Sequence, residues 1–203
     1  MTILLSTLLT AARADTLKII AFGDSLMAGY ELPATDAYPA KLEAALKSAG
    51  HDVRIENGAV SGDTTADGLA RLEWTVPDDT DAVLLELGAN DALRGLSPDQ
   101  TRSNLDAMIE QLKKRDISVM VFGMLAPPNM GQDYAGAFNR IYPELAGKHG
   151  VTLYPFFLDA IITKADLKLA DGMHPNAKGV DRMVEKTLPA VQSFVNVLKP
   201  RAK

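Results

Sequence analysis

Apolar residues occur along the chain in short runs that alternate with longer amphipathic stretches. Five β-rich runs are predicted to be strands: Leu17–Phe22, Val53–Asn57, Ala82–Leu87, Ser118–Gly123 and Val151–Tyr154. The first, third and fourth runs are almost continuously apolar, which is typical of parallel strands that are covered on both faces. We therefore expect these three strands near the centre of a sheet.

Between the runs, apolar residues recur at the spacing of an amphipathic helix. This spacing predicts helices at about 38–49, 65–73, 98–115, 134–149 and 177–198. The third helix has a start signal, in which Ser97 would cap, Pro98 would take the first helical position and Gln100 would complete a capping box. Pro189 is expected to kink or split the last helix.

Strands that alternate with helices predict right-handed βαβ units, and hence a parallel sheet with helices on both faces. We expect one domain that spans residues 15–203. Ligands of such sheets bind beyond the carboxyl ends of the strands, at the switch point in strand order. Segments 23–30, 58–64, 88–96 and 171–176 follow strand ends or lie in late loops, so the chemistry is expected there.

The composition is that of a globular protein and narrows the range of functions. The net charge is −5, from 21 basic and 26 acidic residues, and no long basic run is present. A nucleic-acid partner is therefore not expected. The chain has no cysteine, which excludes a cysteine nucleophile, disulfides and thiolate metal sites. No pattern in the chain specifies an oligomeric state.

The first residues resemble an export signal. Residues 3–12 form an apolar run that is too short to span a bilayer, and Ala12-Arg13-Ala14 resembles a cleavage site. No Lys or Arg precedes the run, which departs from the usual signal-peptide pattern. A buried first helix is the alternative. We expect residues 1–14 to be a signal peptide, the mature protein to be periplasmic or secreted, and no stable membrane anchor to be present.

Gly23-Asp24-Ser25-Leu26 follows the first predicted strand and places a hydroxyl at the carboxyl end of that strand. Gly23 permits a tight bend there. A serine in a strand-to-helix loop most often caps the helix, so this segment by itself leaves a capping role open. A serine nucleophile would need a base within hydrogen-bond reach and a third group that orients the base.

Asp171-Gly172-Met173-His174-Pro175 supplies a candidate for both of those groups. An Asp and a His three residues apart can meet on one side of a turn, with the carboxylate on Nδ1–H and Nε2 left for Ser25. The other two histidines are expected at the surface, His51 just before a strand and His149 at the end of a helix. The alternative is a solvated turn beside a surface histidine.

Two further segments offer hydrogen-bond donors for the oxyanion that attack on an ester would create. They are Ser61-Gly62-Asp63, after the second strand, and Gly88-Ala89-Asn90-Asp91, after the third. Suitable donors are the Gly62 backbone N–H, the Asn90 side-chain amide and the Ser25 N–H. Taken separately, Gly62 and Asn90 are more often simple turn residues.

Together these segments resemble the sequence blocks of SGNH hydrolases of the GDSL type, and they occur in the same order. The matching blocks are GDSLMAGY (23–30), NGAVSGDTT (57–65), GAND (88–91) and DGMHPN (171–176). Three longer segments resemble the bacterial periplasmic multifunctional thioesterase, lysophospholipase and arylesterase subfamily: ELGANDALRGLSP (86–98), AFNRIYPELA (137–146) and YPFFLDAI (154–161).

The resemblance implies a fold, a mechanism and a set of site residues. The implied fold is a flavodoxin-like three-layer α/β/α sandwich with a five-stranded parallel sheet. The implied catalytic residues are Ser25, Asp171 and His174, and Ser25, Gly62 and Asn90 would form the oxyanion hole. The reaction would need no metal and no cofactor, and its substrate would be a small acyl ester or thioester.

Substrate contacts are expected from two loops. The resemblance suggests a mobile loop at Arg94–Pro98 over the acyl site, with contacts from Arg94, Gly95 and Leu96. Residues 124–133, which contain Pro128, form a loop that could border the substrate.

Five other polar and aromatic residues are expected to support the fold or the pocket and to take no part in the chemistry. Asp24 and Asp91 are expected to hold the loops, and Trp74, Phe156 and Phe157 to lie in the core or the pocket wall.

Three functions use residues from these segments or their fold. A serine esterase or thioesterase that acts through an acyl-enzyme uses every segment described above. A metal-dependent hydrolase would hold its metal with carboxylates and an imidazole, from Asp24, Asp91, Asp171 and His174. It would leave Ser25, Gly62 and Asn90 without roles. A non-catalytic binding module is the third, although the chain lacks the usual nucleotide-binding glycine motifs.

Overall fold

The computed structural model describes residues 16–198, and its centre is a five-stranded parallel sheet. The strands are β1 (Leu17–Phe22), β2 (Val53–Asn57), β3 (Ala82–Leu85), β4 (Ser118–Phe122) and β5 (Thr152–Tyr154). Their order is β2-β1-β3-β4-β5, and each neighbouring pair is parallel. The predicted sheet is therefore confirmed, together with its flavodoxin-like strand order.

Helices connect the strands and cover both faces of the sheet. In the described residues they are α1 (Ser25–Ala28), α2 (Tyr38–Ser48), α3 (Thr65–Thr75), α4 (Ala89–Leu93), α5 (Pro98–Lys114), α6 (Gln132–Asn139), α7 (Ile141–His149) and α8 (Ala177–Val197). Short 3₁₀ turns lie at Ala34–Asp36, Pro128–Met130 and Ala165–Leu167.

The direction of the connections decides which face each helix covers. The chain moves one way along the sheet from β1 to β2 and the other way from β2 through β3 and β4 to β5. Because such crossovers are right-handed, the two directions place their helices on opposite faces. Accordingly α2 packs against α8, while α3 packs against α5 and α5 against α7. The predicted three-layer sandwich is confirmed.

The core lies on both faces of the central strands. Every residue of β3 is buried, and β1 and β4 each have only one half-buried residue. Fully buried Phe122 and Phe157 meet Tyr38 of α2, and each other, in edge-on ring contacts. The strand order changes direction between β1 and β3, so the carboxyl ends of these two rigid strands frame the crevice where a ligand site is expected.

The central strand β3 ends earlier than the apolar pattern predicts, at Leu85 rather than Leu87. The chain turns at Gly88, which has a φ of 118°. A Cβ at this position would lie 2.2 Å from the Tyr142 hydroxyl, so only glycine fits. The apolar run therefore continues past the strand because Leu87 is still buried in the turn.

The helix predicted at 134–149 is two helices, α6 and α7, which meet at Arg140. Pro143 explains the break, since it has no N–H to donate to the carbonyl of Asn139 and its ring crowds that carbonyl. In α8, by contrast, the helix continues through Pro189. Pro189 was expected to kink or split this helix, and the structure shows that it does not split it.

Two other local predictions are also wrong. Ser97 precedes α5 but makes no side-chain capping bond, and the capping box forms instead at α3, between Thr64 and Asp67. Trp74 is 85% exposed on α3 rather than packed in the core or the pocket wall. Phe157 is fully buried, as expected.

The prediction of a signal peptide at residues 1–14 lies outside the described residues. Across residues 16–198, no helix combines the length and the apolar character that a membrane crossing needs.

Candidate active site

Ser25 is the first residue of α1, directly beyond the carboxyl end of β1. The residue that caps this helix is Asp24, whose Oδ1 accepts a hydrogen bond from the Leu26 N–H at 3.0 Å. The capping role that Ser25 could have had is thus filled by its neighbour. The Ser25 hydroxyl is left to meet the His174 ring, with 2.8 Å between Oγ and Nε2.

Asp171 and His174 meet across a turn, as their spacing predicts. The His174 Nδ1 lies 2.6 Å from Asp171 Oδ2, and Asp171 Oδ1 accepts the backbone N–H groups of Met173 and His174. The hydrogen bond from His174, followed by the one from Met173, lowers the pKa of Asp171 to about 2. An ionised Asp171 therefore holds the His174 ring with Nε2 directed at Ser25.

The loop that carries Asp171 and His174 is fastened to the start of α8. The Leu169 N–H donates to the His174 carbonyl at 2.8 Å. Asn176 caps α8 by accepting from the Gly179 N–H, and its amide donates to the carbonyls of Asp166 and Lys168. These bonds explain how a loop far along the chain holds a side chain at the end of β1.

The other two histidines lie away from Ser25. His149 ends α7, with Nε2 2.5 Å from Asp106 Oδ1, and its side chain is only 11% exposed. It is therefore more buried than a surface terminus was expected to be. His51 is half-buried before β2.

The three candidate oxyanion donors come from three neighbouring loops. In the part of the chain that the structure describes, neither the Ser25 N–H nor the Gly62 N–H has a hydrogen-bond acceptor. The Asn90 amide donates to Asp24 Oδ2 at 3.1 Å and to the Asp63 carbonyl at 3.0 Å. Asn90 is thus held between the loop of Ser25 and the loop of Gly62, and an oxyanion would share one of its hydrogens.

Asp91 holds loops together, as expected, and Asp24 does the same. Asp91 accepts hydrogen bonds from the N–H and hydroxyl of Thr65 and from the hydroxyl of Thr101, which joins α3, α4 and α5. The Asp24 and Asp91 carboxylates, which a metal-dependent hydrolase would need as ligands, are therefore each held by their own hydrogen-bond donors. Among residues 16–198, no three Asp, Glu or His side chains are grouped as metal ligands.

A cavity of about 600 Å³ opens beside Ser25, Asn90 and His174. Its walls are mostly apolar and include Leu26, Leu93, Met124, Leu125, Phe156 and Met173. The loop after β4 contributes Pro128 to the lining, at the place where a substrate border is expected.

Arg94, Gly95 and Leu96 do not line this cavity. The Arg94 guanidinium instead donates to the Gly62 carbonyl at 2.8 Å, and the Leu96 carbonyl accepts from the Tyr134 hydroxyl at 2.8 Å. Gly95 lies near Met130. In this structure the loop at Arg94–Pro98 supports the Gly62 loop from outside the cavity.

Tyr30 contacts the candidate site and was not singled out from the sequence. Its ring lies against that of His174, with 4.4 Å between the centroids. Only its place at the end of the block 23–30 could have indicated this contact.

Arg71 of α3 is a second residue that the sequence did not indicate. Its guanidinium pairs with Asp63 Oδ2 at 2.5 Å and donates to the carbonyls of Gly58 and Gly23, at 2.6 and 3.0 Å. It also lies 4.1 Å above the Phe22 ring. One half-buried cation therefore fastens the loop after β1 to the loop after β2.

Comparison with known proteins agrees with this geometry. Residues 21–182 match the GDSL-like Lipase/Acylhydrolase family. An arylesterase of Vibrio mimicus is 45% identical over 168 residues, which cover 82% of this chain and 84% of that protein. Thioesterase 1/protease 1/lysophospholipase L1 of Escherichia coli (strain K12) is 37% identical, with 92% of this chain and 88% of that protein covered.

A solved structure is similar throughout the fold. The crystal structure of AlinE4, an SGNH-hydrolase family esterase, superposes with a TM-score of 0.76 at 47% identity. The match covers 90% of this chain and 98% of that one. Since the family match, the close relatives and the fold agree, this chain belongs to the GDSL-like lipase/acylhydrolase family.

Proposed function

We propose that this protein hydrolyses carboxylic esters and thioesters of acyl groups, and that the acyl group is transferred to Ser25. The observation that carries the proposal is the continuous contact from Asp171 through His174 to Ser25, with 2.6 Å at Nδ1 and 2.8 Å at Nε2. Each contact is within hydrogen-bonding distance, which a nucleophile, a base and an orienting group require.

In the first half of the reaction, the Ser25 oxygen attacks the acyl carbonyl while its proton passes to His174 Nε2. The carbonyl oxygen becomes an oxyanion, which accepts hydrogen bonds from the N–H groups of Ser25 and Gly62 and from the Asn90 amide. Asp171 stabilises the imidazolium that forms. The bond to the alcohol or thiol then breaks, and the leaving group takes the proton from His174.

In the second half, water replaces the departed alcohol or thiol. His174 accepts a proton from this water as the water oxygen attacks the acyl carbon. The oxyanion forms again and accepts hydrogen bonds from the same donors. The bond to Ser25 Oγ then breaks, and Ser25 recovers its proton from His174. The carboxylic acid leaves, and both residues return to their starting protonation states.

The substrate class that we propose includes aryl esters, lysophospholipids and acyl thioesters. Relatives named arylesterase and thioesterase 1/protease 1/lysophospholipase L1 support this range. The apolar wall of the 600 Å³ cavity beside Ser25 gives an acyl chain a place to be removed from water. A panel of p-nitrophenyl esters, lysophosphatidylcholine and acyl-CoA of increasing chain length will rank the three classes.

The test of the mechanism is Ser25→Ala, assayed on p-nitrophenyl butyrate. We expect turnover to fall by at least about 10⁴-fold while the folded structure is retained, because the triad acts as a unit. Ser48→Ala, an exposed helix substitution, is the matched control and should leave turnover unchanged. Turnover of Ser25→Ala within about tenfold of wild type would contradict the proposed nucleophile.

We further propose that the chain is exported as a single hydrolase domain after removal of residues 1–14. The apolar run at 3–12 and the Ala12-Arg13-Ala14 segment support this proposal. Expression of the full chain in a Gram-negative host, followed by cell fractionation and N-terminal sequencing, tests it. A mature protein that begins at residue 15 in the periplasm or medium is expected, and an uncut cytoplasmic protein would contradict export.

A further inference from the structure

A buried acidic residue that the mechanism does not use lies directly beneath the nucleophile loop. Glu86 follows the last residue of β3 and is fully buried. Its Oε2 accepts the Asp24 N–H at 3.2 Å. Gly23 makes room for this side chain, because a Cβ there would lie 2.6 Å from Oε2.

The surroundings of Glu86 suit a neutral carboxyl group. Within residues 16–198, Oε1 has no hydrogen-bond partner and no Lys or Arg forms an ion pair with Glu86. The carboxyl group of Asp24, the residue whose N–H Glu86 accepts, is also fully buried. A second negative charge in this position would be strongly unfavourable, since two adjacent buried carboxylates repel and lack water.

Asp24, by contrast, is surrounded by donors that suit a carboxylate. Its Oδ1 accepts the Leu26 N–H, and its Oδ2 accepts the Asn90 amide. The proton of a neutral Glu86 would be a third hydrogen bond to Asp24. The two carboxyl groups would then share one negative charge, and that charge would lie on the residue that contacts both the Ser25 helix and Asn90.

We propose that Glu86 is a positioning residue, which stays protonated at neutral pH and donates to Asp24 so that Asp24 holds the Ser25 loop and the Asn90 amide in place. The proposal rests on the roles proposed above for Ser25 and Asn90. Glu86 itself is too deeply buried to touch a substrate, so it acts through Asp24.

The electrostatics agree with this distribution of charge. Burial, and then the Asp24 charge, raise the pKa of Glu86 well above its ordinary value. Burial raises the pKa of Asp24 only to about 6, because hydrogen bonds from Leu26 and the Glu86 carboxyl oppose it.

The other titratable groups around the pair are already engaged. Tyr142 of α7 donates to the Leu87 carbonyl, and Asp91 of α4 is satisfied by threonines. Arg71 of α3 donates to the Gly23 carbonyl and pairs with Asp63. The protonated form of His174, on the loop at 171–176, lowers the pKa of Asp24.

Glu86→Gln and Glu86→Leu separate the proposed hydrogen bond from simple packing. Gln keeps a donor toward Asp24, and Leu removes it. On p-nitrophenyl butyrate we expect Glu86→Leu to lower kcat at least about tenfold with little change in KM, and Glu86→Gln to restore kcat to within about threefold of wild type. Wild type should also lose kcat at alkaline pH, as Glu86 ionises, and Glu86→Gln should not.

Infrared spectroscopy tests the proton without any assay of hydrolysis. At pH 7, wild type should show the C=O stretching band of a protonated carboxyl group, and Glu86→Gln should lack it. Glu73→Gln, an exposed substitution on α3, is the matched control and should keep the band. This measurement is independent of Ser25, so it distinguishes failure of the inference from failure of the proposed function.

Two results would overturn the inference. One is a protonated-carboxyl band that survives in Glu86→Gln or is missing from wild type. The other is a Glu86→Gln variant that loses as much kcat as Glu86→Leu. If Glu86→Leu does not fold, the inference is still tested by the infrared comparison and by kcat at alkaline pH in wild type and Glu86→Gln.

Discussion

Arg71 is expected to be one of the most sensitive positions outside the reacting groups. Arg71→Met keeps an apolar stem over Phe22 but removes the guanidinium. The substitution leaves the Asp63 carboxylate and the Gly23 and Gly58 carbonyls without that donor. We therefore expect lower stability and a displaced pair of loops on either side of Ser25.

The expected loss follows from the burial of the ion pair. The Arg71 and Asp63 side chains are 16% and 12% exposed. Breaking a fully buried pair costs about 3–5 kcal/mol, and an exposed pair contributes about 0–1 kcal/mol. We expect about 3 kcal/mol for this mostly buried pair, which for a chain of this size lowers Tm by roughly 6–12 °C.

Urea unfolding followed by circular dichroism measures the change in the free energy of unfolding. Arg182→Met is the matched control, since Arg182 forms an exposed pair with Glu185, and its effect should stay below about 1 kcal/mol. A double-mutant cycle with Asp63→Asn should give a coupling energy of about 1–3 kcal/mol. If Arg71→Met is as mild as Arg182→Met, the reasoning about this mostly buried ion pair is refuted.

Three further outcomes are expected. Asn90→Ala should lower kcat about 10²- to 10³-fold, as for other single oxyanion donors, and Asn104→Ala, which lies outside the cavity, should not; an unchanged rate for Asn90→Ala would exclude its amide. Ala126→Phe should fill part of the cavity and lower the ratio of octanoate to acetate hydrolysis on p-nitrophenyl esters; an unchanged ratio would place the acyl chain elsewhere. The raised pKa of Glu86 makes the folded state keep a proton that the unfolded chain releases above its ordinary pKa of 4.5, so this group's stabilising contribution is lost as pH rises. Wild type should therefore lose stability relative to Glu86→Gln, so the Tm of Glu86→Gln minus that of wild type should rise from about pH 5 to pH 8. A constant difference would argue against the neutral carboxyl.

The local pattern was sufficient for the five strands and for the longer helices α2, α3, α5 and α8, because each depends on near neighbours in the chain. A short, almost continuously apolar run between helical stretches is typical of a strand covered on both faces, and β1, β3 and β4 are such strands. The boundaries were less predictable. The pattern could not distinguish a strand residue from a buried turn residue such as Leu87, nor see that Pro143 ends one helix and begins another.

The candidate site divides in the same way. Ser25, Asp171, His174, Gly62 and Asn90 could be named in advance because their residue types, loops and order along the chain are distinctive. Glu86 was not named in advance, although a charged residue in an apolar run is a signal that could have indicated it. Arg71 carries no such signal, since an arginine on a helix is usually solvated and only packing brings it to the loops after β1 and β2.

The sequence by itself determined the fold class, the family and the chemical types available at the carboxyl edge of the sheet. These follow from local periodicity and from short segments in a characteristic order. Only the tertiary structure decided the rest: the Ser25 hydroxyl meets the His174 ring, the Arg94–Pro98 loop lies outside the cavity, and Glu86 lies against Asp24. The physical reason is that burial and electrostatic coupling depend on distances between residues that are far apart in the chain, and these distances exist only once the sheet and its two helical layers have packed.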